Sequence, residues 1–121
     1  MITSATIAPP NSLVLIEDPS GGEVPESMGN SSIASTGSCI AVGSRSESDG
    51  KSEIVLGPAA EVDPGQSPAL EQDLSTPNRK VVVRTVLGDT ILETPVSRQK
   101  TRVRVWVNDP KEPDRILIGT S

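Results

Sequence analysis

Wherever the apolar residues of this 121-residue chain show order, they recur at every second position and favour β-branched types. No window of helical length carries an apolar stripe at three- and four-residue spacing. A period of two places alternate side chains on opposite faces of an extended strand, so the pattern predicts a predominantly β fold. Seven strands are predicted, at 12–17, 33–42, 52–56, 80–87, 90–96, 101–107 and 115–118. Pro19, Gly21 and Gly22 end the first. Asp49-Gly50 reads as the hairpin turn between the second and third, and Gly88-Asp89 as a two-residue turn with glycine first between the fourth and fifth. The last four strands then make a carboxy-terminal meander. Residues 57–78, with Pro58, Pro64, Pro68 and Pro77, read as a long connection holding a short turn of helix near Pro68 to Gln72. The expectation is an all-β, single-domain antiparallel β-sandwich of about seven strands over residues 1–121.

Composition removes most catalytic chemistry. There is no His, Tyr or Phe, and there is one Trp, so the commonest general base and neutral metal ligand are missing. Cys39 lacks a partner for a disulfide and a base to activate it; its apolar strand context makes it a buried small hydrophobe, and a lone cysteine favours a reducing, cytoplasmic compartment. Ser97-Arg98-Gln99-Lys100 matches a Ser-x-x-Lys pattern, but that spacing serves catalysis only on a helix, and here it falls in a turn. The chain reads as not an enzyme, with no cofactor. No apolar stretch approaches the roughly 18 residues of a membrane span, and no basic-then-apolar leader is visible. The sequon Asn30-Ser31-Ser32 matters only in a secreted chain and is set aside.

Net charge is −5, unevenly placed: −9 up to Asn78 and +4 from Arg79 onward. The halves either face each other within the fold or present a field to a charged partner. Loop acids Glu17, Asp18, Glu23 and Glu26, and Glu47, Asp49 and Glu53, are the candidates for an acidic contact surface, against plain solvation of loops. An EF-hand alignment on Asp49-Gly50 fails, because it places Arg45 and Leu56 where acids are required. A loop-end calcium site using Asp109 and Asp114 with Asp18 or Asp49 stays open, and a zinc site has no cysteine or histidine set. In 102–107, alternation puts Val103, Val105 and Val107 on the core face and Arg102, Arg104 and Trp106 on an outward stripe, which Lys80 or Arg84 would extend if the register allows. That stripe could grip phosphates or an acidic protein surface. Alternatively it is a solvated face whose arginines pair with Glu93 or with acids of the first half while Trp106 covers a sheet edge. A pI near 4.6 and a single aromatic residue speak against nucleic acid as a partner.

The order of these features resembles the competence protein J family, bacterial inhibitors of a DNA-entry nuclease that are small, acidic and β-rich. The likeness lies in the early strand Leu13–Glu17 with the acidic loop to Glu26, in Cys39–Val42 and Ile54–Leu56, and in Arg79–Val83, Ile91–Glu93, Val103–Trp106 and Arg115–Gly119. It covers most of the chain as spacing; the chain departs from the family in lacking Phe and Tyr, and no inhibitory residue is carried over.

The resulting expectation is a small acidic protein-binding domain without catalytic machinery. It would act as an inhibitor or immunity-like protein that occludes a basic nuclease or toxin site, through Glu23, Glu26, Glu47, Asp49, Arg102, Arg104 and Trp106. The alternative is an accessory sandwich that self-associates through strand edges or the Arg102/Arg104/Trp106 face. A third reading is a calcium-dependent binding module.

Overall fold

A computed structural model describes residues 2–28 and 32–121; the Asn30-Ser31 part of the sequon lies outside the described residues. Among the described residues, ten strands form two five-stranded sheets. The first runs β1 (Thr3–Ile7), β5 (Ser52–Pro58), β10 (Arg115–Thr120), β9 (Lys100–Val107), β6 (Leu70–Ser75). The second runs β3 (Ile33–Ser35), β4 (Cys39–Gly43), β2 (Leu13–Glu17), β7 (Lys80–Thr85), β8 (Thr90–Pro95). Pairing is antiparallel except between β5 and β10, which run parallel with Ile116 opposite Ile54. The all-β sandwich is as the alternation predicts, with three more strands than expected.

The inner faces meet in one core. Val14, Ile16, Ile40, Val42, Val81 and Val83 of the second sheet interlock with Ile54, Leu56, Val103, Val105, Ile116 and Ile118 of the first. Removal of this apolar surface from water is the main driving force for the fold. The sides of the sandwich also close. Beside β6, Ser35 Oγ donates to Gln72 Oε1 at 2.6 Å and Gln72 Nε2 donates to the Thr36 carbonyl at 2.7 Å. On the opposite side β1 packs against β8.

Three connections differ from the sequence expectation. β4 and β5 do not form a hairpin: they lie in different sheets, and residues 44–51, including Asp49-Gly50, carry the chain between them. β7 and β8 do pair, but through a four-residue loop, 86–89, in which Gly88 adopts φ +91 and its N–H donates to the Thr85 carbonyl at 3.0 Å. β8 and β9 again belong to different sheets, so the expected meander is two hairpins joined by a crossing at 96–99. Side-chain alternation specifies which residues face the core. It does not specify which sheet a strand joins, because both sheets share that core.

The segment read as connection and helix is also different. Its helix, α1, is the single turn Ala59–Val62, and the stretch Pro68 to Gln72, expected as a turn of helix, instead leads into strand β6, Leu70–Ser75. α1 lies on the outer face of the first sheet, where Val62 covers Val55 and Trp106 beside Leu117. Gly119 makes this approach possible: a Cβ there would stand 2.8 Å from Ala59 Cα and 3.1 Å from Trp106 Cζ3. The outer face of the second sheet is covered in the same manner, by Met28 over Leu15, Cys39 and Ala41. β2 and β4 are therefore buried on both faces, which accounts for their unbroken apolar sequences.

Register sorts the loops into two ends. Ile7 opposite Ser52, Ile116 opposite Val107 and Val14 opposite Thr85 bring 8–12, 44–51, 86–89 and 108–114 to one end. Loops 18–22, 36–38, 76–79 and 96–99 form the other.

Candidate partner-binding surfaces

At the first end, loops 44–51 and 108–114 are locked together by backbone hydrogen bonds. Arg45 N donates to the Pro113 carbonyl at 2.9 Å and Glu53 N to the Asp114 carbonyl at 2.8 Å. Within 108–114, Asn108 Oδ1 accepts from Asp114 N and Arg115 N, both at 3.1 Å, and the Asn108 amide also bonds Asp114 Oδ1. Asp109 Oδ1 accepts from the backbone N–H groups of Glu112 and Lys111, and these bonds hold its carboxyl below the usual carboxylate range. Between the loops lies an open bowl of about 390 Å³ lined by Arg45, Asp49, Asn108, Asp109, Glu112 and Asp114. The Arg45 guanidinium donates twice to the Lys51 carbonyl, at 3.1 and 2.6 Å, and stands 3.9 Å from Asp114. Four carboxylates thus face one guanidinium on a stitched frame, a concave anionic surface suited to a basic contact.

The acids singled out in the sequence do not form one surface. Asp49 is exposed at the rim of the bowl, and Glu47 belongs to the same short 3-10 turn, Glu47–Asp49, though its side chain lies outside the described residues. Glu23 and Glu26 are exposed on the loop after β2, and Glu23 N is bonded to Ser38 Oγ at the opposite end of the sandwich. Glu17 and Asp18 are internal, with 5% and 1% of their surface exposed. Glu17 Oε1 accepts from Arg84 Nη1 at 3.0 Å and Oε2 from Gly22 N at 3.1 Å. Burial alone would raise the Asp18 pKa, but bonds from Ser20 and Asn78 outweigh it and hold this carboxyl at about 2. Both residues tie loops together. The bowl residues Asp109, Glu112 and Asp114 were not grouped with Asp49 as a contact surface from sequence, since they lie some 60 positions away along the chain; their density in 108–114 was the available signal.

On β9, Arg102, Arg104 and Trp106 do share the face opposite the valines, but Trp106 is not part of an exposed stripe. It is 2% exposed under α1, and its indole N–H donates to the Gln66 carbonyl at 2.8 Å. The arginines are engaged by the neighbouring strand β6: Arg102 Nε and Arg104 Nε reach Glu71 Oε2 at 3.2 and 2.9 Å, and Arg102 Nη1 reaches Asp73 at 3.3 Å. Hydrogen bonds from Arg104 and Arg102 lower the Glu71 pKa. Lys80 and Arg84 do not extend the stripe, because β7 is in the other sheet. With Arg84–Glu17 and Arg115–Glu53, these pairs join cations of the carboxy-terminal part to acids of the amino-terminal part. Much of the charge asymmetry is absorbed inside the molecule.

Cys39 is fully buried, and burial, followed by the nearby Glu17, pushes its thiol up to about 12. Asp18, offered for a loop-end calcium site, lies at the other end from Asp109 and Asp114. Among the described residues no group of three carboxylate, cysteine or histidine side chains is placed to hold a metal ion, and no helix is long and apolar enough to cross a membrane.

Comparison with solved structures finds a similar fold in another protein: "Crystal structure of ComJ, inhibitor of the DNA degrading activity of NucA, from Bacillus subtilis". The superposition has a TM-score of 0.68 and covers 99% of this chain and 97% of that one, at 8% identity. The chain shares the fold of ComJ. The resemblance read in the order of the strands is therefore a resemblance in three dimensions, and at this identity it concerns the fold. No protein-family model matches the chain, and no curated protein does.

Proposed function

We propose that this chain is a protein-binding domain without catalytic activity, an inhibitor or immunity-like protein that covers a basic nuclease or toxin site. The observation that carries the reading is the bowl in which Asp49, Asp109, Glu112 and Asp114 face one guanidinium. A frame stitched by backbone hydrogen bonds holds these acids before any partner arrives, so little ordering cost accompanies binding. The fold shared with an inhibitor of a DNA-degrading nuclease supports the same reading. Glu23 and Glu26, at a separate place, add to the negative field and lie outside the proposed contact. Arg102, Arg104 and Trp106 lie outside the proposed contact, because Glu71 and Asp73 engage the arginines and α1 covers Trp106.

Asp49 and Glu112 are exposed, and among the described residues no side-chain hydrogen bond or ion pair engages their carboxylates. The double variant Asp49→Lys/Glu112→Lys therefore tests the contact without disturbing the loops. The tagged wild-type chain is expected to capture a basic nuclease or toxin from host lysate at low salt, to release it as salt rises, and to suppress its activity when added back. The double variant should associate at least about tenfold more slowly at low salt. Capture unchanged by the double reversal, or retention of no basic enzyme, overturns the proposal.

A further inference from the structure

An edge strand turns a row of backbone N–H and C=O groups outward, ready to pair with another strand. In this fold the edges are β1 and β6 in the first sheet and β3 and β8 in the second. Three of them are blunted. β3 is three residues long. β8 carries the exposed Glu93 and Pro95, and its pairing with β7 shifts register between Val83 and Arg84. β6 holds the acids Glu71 and Asp73 and is tied to the other sheet, where Ser75 N donates to the Gly37 carbonyl at 2.9 Å and Gln72 Nε2 to the Thr36 carbonyl at 2.7 Å.

β1 lacks each of these protections. Residues 2–8, Ile-Thr-Ser-Ala-Thr-Ile-Ala, include no charge, no proline and no glycine. β1 pairs with β5 over five residues without a shift, and among the described residues β5 is the strand that pairs with it. Thr3, Ala5 and Ile7 are half-buried on the inward face, Ser4 and Thr6 are exposed on the outer one, and Ile2, 46% exposed, precedes the strand. On a chain of net charge −5, whose copies repel one another, this is a neutral edge.

The strand is also complementary to itself. Antiparallel pairing of two β1 strands about a two-fold axis at Ala5 sets Ser4 opposite Thr6 and Thr3 opposite Ile7, each pair formed twice. Hydroxyl then meets hydroxyl on the outer face, and the inward row of one copy continues that of the other.

We propose that the free edge of β1 is a docking surface for the same edge of a second copy of this chain, joining two first sheets into one continuous sheet. The contact is isologous and uses up the edge, so it closes on a dimer. Because the two β1 strands run in opposite directions, the two bowls come to lie at opposite ends. A five-residue edge buries little area, so the association is weak and shows at high protein concentration. Salt strengthens it by screening the repulsion between two net charges of −5. It stands independently of the function proposed above, since no residue of the bowl takes part.

Sedimentation velocity on the full chain tests it. At high protein concentration the wild type should move from its 12.6 kDa monomer toward twice that mass and no further, with more dimer at about 0.5 M than at about 0.05 M salt. Two variants, Ser4→Lys/Thr6→Lys and Ser4→Glu/Thr6→Glu, set like charges directly opposite each other across the axis. Both positions are exposed, so each variant should keep the wild-type circular dichroism and sediment as a monomer. Their equimolar mixture at about 0.05 M salt should restore a 1:1 dimer, because each lysine then faces a glutamate. Four outcomes overturn the proposal: a wild type that is monomeric throughout, a species beyond the dimer, a dimer that persists at wild-type strength in either variant alone, or a mixture that stays monomeric. A monomeric wild type whose amides at 3–7 gain exchange protection only from an alternating threonine–lysine peptide would assign the edge to a partner's strand and overturn the second copy as its occupant.

Discussion

Asp18→Asn isolates the contribution of one buried carboxylate. Asp18 Oδ2 accepts from Ser20 N at 2.9 Å, from Ser20 Oγ at 2.6 Å and from Asn78 Nδ2 at 2.6 Å, while Oδ1 accepts from Asn78 N at 2.9 Å. Every neighbour is a donor. Asparagine keeps the shape but turns a donor toward a donor, with an expected loss of about 2 kcal/mol at pH 7. The folded-state pKa of about 2 lies below the ordinary 3.8, so the carboxylate contributes stability that is present above pH 4 and is lost as pH falls toward 2. That displacement is worth about 2 kcal/mol in full, and about half of it is gone by pH 3. Urea unfolding of both proteins, followed through the single tryptophan, should show a gap that narrows by about 1 kcal/mol between pH 7 and pH 3. Stability curves that stay parallel over that range would refute the assignment of Asp18 as an ionised tie between loops 18–20 and 76–79.

Two further expectations concern the covered outer faces. Gly119→Ala drives a methyl group against Ala59 and Trp106; it should cost about 1–3 kcal/mol and shift Trp106 emission to the red as α1 lifts, and a blue, unshifted emission with unchanged stability counts against the packing described. Cys39, its thiol held near 12, should resist a thiol reagent at pH 8 in the folded protein and react at once in denaturant. Fast labelling of the native chain would contradict its burial.

The strands that were legible in the sequence are those whose inward side chains are large. β9 alternates valine with polar residues, while β2, β4 and β7 are short apolar runs bounded by polar or turn residues, and these patterns located them. β1 and β6 escaped because a small or polar residue interrupts the inward face: Ala5 between Thr3 and Ile7 in β1, and Gln72 between Leu70 and Leu74 in β6. Gln72 faces inward because Ser35 and Thr36 of the other sheet satisfy its amide, a long-range fact absent from any local window. Alternation also placed Trp106 on the correct side of β9. What it lacked was the cover, a helical turn that begins 47 positions earlier in the chain. For the candidate surface, Asp49 was visible as an acid in a loop, but its neighbours in the bowl depend on β5 and β10 running side by side.

That parallel pairing also sets the longest loop closure in the first sheet. β10 occupies the middle of the first sheet, between β5 and β9, although 62 residues separate Arg115 from its opposite number Glu53. β9 and β10 pair locally as a hairpin, so β1–β5 and β6–β9–β10 stay two ribbons with open inner edges until β5 and β10 meet, and closure of that long loop precedes the reward of their hydrogen bonds. Until that closure the facing edges of β5 and β10 are open to pairing with other chains, and the two loops of the acidic bowl are not yet side by side.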